Sequence, residues 1–150
     1  MAYQIAVVDD DPSILELLRV ILESEGYSVE TFDSAPMALK VAVKHPPDAA
    51  IIDLMMPGMD GLDLLRALRY SARTRDLPVL ICSAYYENLA ASESELAQQN
   101  VLHLRKPFHV QDLLNLVERM VTGPRPQKAG RRKRTVGDLG GPGRVSAFAA

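Results

Sequence analysis

The chain carries one cysteine in 150 residues, Cys82. No disulfide framework can form within it, which points to a reducing compartment. Cys82 lies inside the apolar run Val79–Ser83 and reads as a small core residue. No apolar stretch approaches the roughly 18 residues that a membrane span needs. The amino terminus, Met-Ala-Tyr-Gln, lacks a charged segment leading into a long apolar one, so no secretory signal is expected. These absences make the cytoplasm the expected location. Histidine is scarce as well, with three in the chain. His103 has no cysteine near it and only His109 as a neighbouring histidine, so it reads as a strand residue rather than a metal ligand. No internal repeat is visible.

What is present divides into two parts by charge. Residues 1–122 carry 10 Lys+Arg against 18 Asp+Glu, a net charge of -8. Residues 123–150 carry 7 basic residues and 1 acidic residue, a net charge of +6. An acidic globule is therefore followed by a basic, Gly/Pro-rich tail with no apolar periodicity, which is expected to be disordered. The globule is long enough for one domain with its own core.

Within it, short apolar runs alternate with helical periodicity. Strands are expected at Tyr3–Val8, Ser28–Phe32, Ala49–Ile52, Pro78–Ser83 and Val101–Arg105. Asp11-Pro12 opens a helix that Gly26 stops, with Ile14, Leu17, Leu18 and Ile21 expected on its inner face. Ser34 and Pro36 open a second helix, which Pro46-Pro47 closes. Asp60 is the expected cap of a third, over Leu62–Ser71, with Leu65 and Leu68 inward. Ala72–Leu77 reads as a polar loop. Asn88–Gln99 is the weakest helix, with only Leu89 and Leu96 as large apolar residues. The last helix, Val110–Val121, offers the stripe Val110, Leu113, Leu114 and Val117. Five strand–helix units in alternation argue an α/β parallel sheet with helices on both faces.

The chemistry gathers at strand ends. Strand one ends at Asp9 and Asp10, strand three at Asp53, strand four at Ser83 and strand five at Lys106. In open α/β sheets that carboxyl edge is where ligands bind. Taken singly, Asp9–Asp11 could be a capping cluster, Lys106 a surface lysine and Ser83 a hydroxyl bonded to backbone. Together, three carboxylates at one edge repel one another unless a cation compensates. Oxygen ligands without His or Cys suit Mg²⁺. A lysine and a hydroxyl facing the same point suit phosphoryl oxygens. The set reads as a cation pocket and phosphate ligands around one candidate nucleophile, Asp53.

These residues carry a resemblance. Val7-Val8-Asp9-Asp10 with Pro12-Ser13, the run Ile52-Asp53-Leu54-Met55-Met56-Pro57-Gly58-Met59-Asp60-Gly61, Ser83-Ala84, and Lys106-Pro107-Phe108 stand in order over residues 3–121. Together they resemble the receiver (response-regulator) domain of two-component signalling. The resemblance implies a flavodoxin-like fold: a doubly wound, five-stranded parallel sheet in the order 2-1-3-4-5 with five helices. It implies a receiver domain over 1–122, separate from the tail. Asp53 would accept a phosphoryl group from a sensor histidine kinase or a phosphotransfer protein. Asp9, Asp10, Asp53 and the Met55 carbonyl would hold Mg²⁺. Ser83 and Lys106 would engage the phosphoryl oxygens, and the Lys106–Pro107 bond would be cis. Phosphorylation would reshape the surface of the fourth helix, fifth strand and fifth helix for an effector protein. The chain would act as a signalling phosphoacceptor and not as an enzyme on other substrates. The sequence departs from the family pattern at His103, where Tyr or Phe is usual, and at Gln99-Asn100, where Gly-Ala is common.

Two other readings stay open. One is a small Mg²⁺-dependent phosphatase of the haloacid dehalogenase group. Asp9-Asp10-Asp11-Pro12-Ser13 supplies that group's two acids but has Ser where Thr or Val belongs. The other is a nucleic-acid binder using the basic segment Lys128–Arg134. Nucleic acid is not the expected partner, but the tail leaves it open.

Overall fold

The computed structural model describes residues 2–84 and 101–123. Five strands run through them: β1 (Gln4–Val8), β2 (Ser28–Phe32), β3 (Ala49–Asp53), β4 (Val79–Ser83) and β5 (Leu102–Arg105). Among the described residues there are four helices: α1 (Pro12–Ser24), α2 (Ala35–Lys44), α3 (Gly61–Tyr70) and α4 (Val110–Thr122). The sheet order is β2-β1-β3-β4-β5, and every pairing is parallel. This is the expected flavodoxin-like arrangement. The expected helix over Asn88–Gln99 and the basic tail lie outside the described residues.

Strand position explains strand composition. β3 and β4 are covered on both faces, and every residue of each is buried. Such strands read as continuous apolar runs. β2, at an edge, alternates exposed and partly buried residues until Phe32. Successive side chains point to opposite faces, so each strand feeds two cores. Ala6, Val8, Ala50, Ile52, Val79 and Ile81 pack with the inner residues of α2 and α3. Ile5, Val7, Ala49, Ile51, Leu80 and Cys82 pack with those of α1 and α4.

The helix starts follow local chemistry. Asp11 caps α1, its carboxylate accepting from the Ser13 N–H at 2.9 Å. Ser34 caps α2 in the same way, through the Met37 N–H. Asp60 and Asp63 form a reciprocal capping box at the start of α3. Gly26, after α1, takes a positive φ of 90° that other residues rarely adopt.

Two helix faces differ from expectation. α1 buries Leu15, Leu18 and Leu22, whereas Leu17 is 50% exposed. The expected inner face of Ile14, Leu17, Leu18 and Ile21 is thus corrected: seven of the nine residues from Ile14 to Leu22 are apolar, so more than one stripe fits the helical period. Packing chose the Leu15–Leu18–Leu22 line and left Ile14 and Ile21 on its flank. α4 buries Leu113, Val117, Met120 and Val121, and its first residue, Val110, is largely exposed. The polar loop over 72–77 is also more built than expected. Thr74 is fully buried, its hydroxyl donating to the Leu68 carbonyl at 2.6 Å.

Candidate functional site

Each candidate side chain sits where a strand meets the carboxyl edge. Asp53 is the last residue of β3 and Ser83 the last of β4, while Asp9 and Lys106 directly follow β1 and β5. Backbone bonds fix these ends. The Asp9 N–H donates to the Phe32 carbonyl at 3.1 Å, and the Lys106 N–H donates to the Ser83 carbonyl at 2.8 Å. The Lys106–Pro107 peptide bond is cis.

The structure brings four of these residues together. Ligand oxygens of Asp9, Asp10 and Asp53 lie within 4.8 Å of one another. Lys106 Nζ donates to Asp9 Oδ2 at 2.8 Å and stands 3.8 Å from Asp53 Oδ1. They line a cavity of about 480 Å³ whose wall includes Met55 and Ala84. The Met55 N–H points at Asp53 Oδ1 from 3.5 Å, and Met55 itself is 42% exposed. Asp9 and Asp53 are buried, whereas Asp10 is exposed. Ser83 is buried as well, and the register sets Cys82 level with Asp53, with Ser83 one residue nearer the edge.

Charge at this edge is unbalanced. Asp53 is pushed up to about 6 from the ordinary 3.8. Burial is the main cause, and Asp9 and Asp10 add to it; Lys106 and the Met55 N–H pull the other way. Burial alone would lower Lys106, but its hydrogen bond to Asp9 and the charges of Asp53 and Asp9 raise it instead. The Cys82 thiol, buried behind the site, is pushed up to about 12, chiefly by burial, and is inert as a thiolate source. One lysine does not neutralise three carboxylates. A donor set of carboxylate oxygens with no nitrogen or sulfur fits a hard divalent cation.

A family model of the response regulator receiver domain matches residues 5–118. The chain belongs to the response regulator receiver domain family. Relatives agree. A response regulator, MprA, of Mycobacterium tuberculosis is 35% identical over 129 residues, covering 86% of this chain and 55% of its own. The DNA-binding transcriptional regulator NtrC of Proteus hauseri is 38% identical over 122 residues, covering 81% of this chain and 25% of its own. The chain thus spans about half, or less, of these longer relatives. Among solved structures, the chemotaxis protein CheY4 of Vibrio cholerae superposes with a TM-score of 0.73 at 28% identity, over 80% of this chain and 99% of its own. The receiver domain of the histidine kinase PA1611 of Pseudomonas aeruginosa, described with a magnesium ion in its active-site cleft, gives 0.71 at 25% identity, over 81% and 98%. The receiver fold therefore covers most of this chain. No helix among the described residues is long and apolar enough to cross a membrane.

Two features of this receiver site escaped sequence reading. One is the direct Lys106–Asp9 pair, whose partners are 97 positions apart. The other is the contribution of Ile14, Met56, Pro57 and Ala84 to the cavity wall. Neither leaves a local pattern, because both depend on how strand ends meet.

Proposed function

We propose that this receiver is a phosphoacceptor switch whose modified residue is Asp53. The observation that carries the reading is the charge at the carboxyl edge: two buried carboxylates and Asp10 around one lysine. A purely structural site would pair its buried charges, whereas an excess of negative charge suits a site that waits for a cation. Asp9, Asp10 and Asp53, with the Met55 carbonyl, would hold Mg²⁺. When bound, that ion supplies charge neutralisation to phosphoryl oxygens during transfer.

The chain's own residues do the rest. The Asp53 carboxylate, ionised, attacks the phosphorus of a phosphohistidine, and the histidine nitrogen leaves. Lys106 stands 3.8 Å from Asp53 Oδ1 and turns from Asp9 toward the new phosphoryl oxygens. The Ser83 hydroxyl, at the end of the neighbouring strand, donates to another. Burial of Asp53 limits water at the reacting carboxylate. The donor is a histidine kinase or phosphotransfer protein. Exposed Leu17 and Val20 on α1 offer apolar surface that suits a protein donor rather than a free metabolite. The response emerges at the β5 edge of the sheet, where half-buried His103 would change its packing when Ser83 moves. An effector protein, or an effector domain of a longer parent, would read that change. Residues 1–122 would form the switch, with 123–150 outside it.

The test is incubation with acetyl phosphate with and without Mg²⁺, followed by intact mass and peptide mapping. One acid-labile, hydroxylamine-sensitive phosphoryl group on Asp53, formed only with Mg²⁺, is expected. Repeated turnover of unrelated phosphomonoesters without a stable adduct would replace this reading with the phosphatase one.

A further inference from the structure

Gly61 and Gly58 belong to the same turn after β3 but are glycines for different reasons. Gly58 takes a φ of 73°, and a Cβ built there would meet nothing within 4 Å. Gly58 therefore serves backbone conformation alone. At Gly61 space is the constraint. A Cβ would lie 2.8 Å from Leu54 Cα and 2.9 Å from the Asp53 carbonyl carbon, and closer still to the Asp53 carbonyl oxygen. Those atoms are the peptide unit that follows the candidate phosphoacceptor.

Gly61 is the first residue of α3, and its N–H donates to the Leu54 carbonyl at 3.0 Å. The helix start behind it is fixed. The Asp60 carboxylate accepts from the Asp63 N–H at 2.8 Å, and the Asp63 carboxylate accepts from the Asp60 N–H at 3.3 Å. Leu64, Leu65 and Leu68 anchor the same helix in the core. A side chain at 61 would therefore press on the 53–54 peptide unit in preference to a capped and packed helix. That unit carries Asp53 on one side and leads to the Met55 N–H on the other.

We propose that Gly61 is a positioning residue for Asp53: the bare backbone at the start of α3 seats the 53–54 peptide unit, and with it the Asp53 carboxylate, opposite Lys106. The inference rests on the phosphoacceptor reading for its activity readout but not for its structural one. A displacement on the order of 1 Å at a reacting atom can cost about 100-fold in rate.

The test compares wild type, Gly61→Ala and Leu22→Ala, the last a core truncation in α1 away from the site. Initial rates of labelling by acetyl phosphate with Mg²⁺ are measured per folded molecule, and amide resonances are followed by NMR. Gly61→Ala should label about 100-fold more slowly and shift the Asp53 and Met55 amides. Leu22→Ala should lower the melting temperature yet keep both readouts. Asp63→Ala, a partly exposed change that removes half of the capping box, guards against failure of Gly61→Ala to fold. It should slow labelling severalfold and move the Met55 amide. A folded Gly61→Ala that labels at the wild-type rate overturns the proposal. If Gly61→Ala does not fold, an Asp63→Ala with unchanged rate and unchanged Met55 amide overturns it equally. If wild type takes no label, the phosphoacceptor reading fails, and the amide shifts alone still decide whether Gly61 seats Asp53.

Discussion

The two ends of the sheet bury polar groups in opposite ways. At the amino edge, the turn between α3 and β4 hides Thr74 and gives it partners on both sides. Its hydroxyl donates to the Leu68 carbonyl at 2.6 Å, and its own carbonyl accepts from the Arg69 guanidinium at 3.3 Å. Burial draws Arg69 down to about 10, and the charge of Asp76 opposes that fall. Donors and acceptors match there, as buried polar groups need to if they are to hold structure. At the carboxyl edge the same chain buries Asp9 and Asp53 against one lysine and leaves Asp53 with a proton affinity far above the carboxylate norm. A polar site that balances reads as architecture. One that does not balance reads as a place where something binds.

The contrast can be broken most completely at Asp53. Asp53→Asn should abolish labelling by acetyl phosphate, since an amide is a poor nucleophile, while the metal-free protein becomes more stable at pH 7. Intact mass and a thermal melt test the two halves, and full Mg²⁺-dependent labelling at another residue would reject the assignment.

Lys106→Met comes next. It should slow labelling on the order of 100-fold or more, the usual effect of removing one charge-stabilising group. It also removes the cation beside Asp9 and Asp53, at a cost of about 3 kcal/mol in the metal-free protein near neutral pH. Added Mg²⁺ should restore part of that stability, as measured by urea titration with and without the metal. No Mg²⁺-dependent recovery would argue that the carboxylates do not share a cation.

A third test uses pH. Asp53 binds its proton more tightly folded than unfolded, about 6 against an ordinary 3.8. Its contribution to stability is therefore complete below about pH 4 and is lost as pH rises through about 6, by up to about 3 kcal/mol. Asp53→Asn should lack this slope. Equal slopes in wild type and variant, measured without divalent metal, would show that Asp53 titrates normally.

At the opposite edge, Thr74→Val should cost about 1–2 kcal/mol through the lost hydroxyl bond and leave the labelling rate unchanged. Any loss of labelling in the folded variant would mean that the two edges are coupled. The smallest effect is expected from truncation after Gly123. α4 completes its buried stripe at Val121, so the change should stay below about 1 kcal/mol, a modest part of marginal stability. A larger drop at physiological salt would show that the basic tail contacts the acidic globule.

Much of the fold was legible because its signals are local. Asp11, Ser34 and Asp60 announced helix starts through side chains that cap the backbone within three residues. β3 and β4 stood out as unbroken apolar runs because both of their faces are covered. The acids at the strand ends were legible one by one, and their convergence followed from the parallel topology that the strand–helix alternation implied. The inner face of α1 was not legible, because Leu15, Leu17 and Leu18 differ in environment but not in chemistry.

The sequence by itself determined the order of elements, their caps, and the kinds of side chain delivered to the sheet's carboxyl edge. Each of these depends on residues close together in the chain. The tertiary structure alone decided that Asp9 and Asp53 are buried while Asp10 faces solvent. It also set Lys106 against Asp9 rather than free, and left no room for a side chain at Gly61. Those outcomes depend on how strand ends meet in space. Desolvation, charge pairing and close contact act across distances of a few ångströms, whatever the separation along the chain.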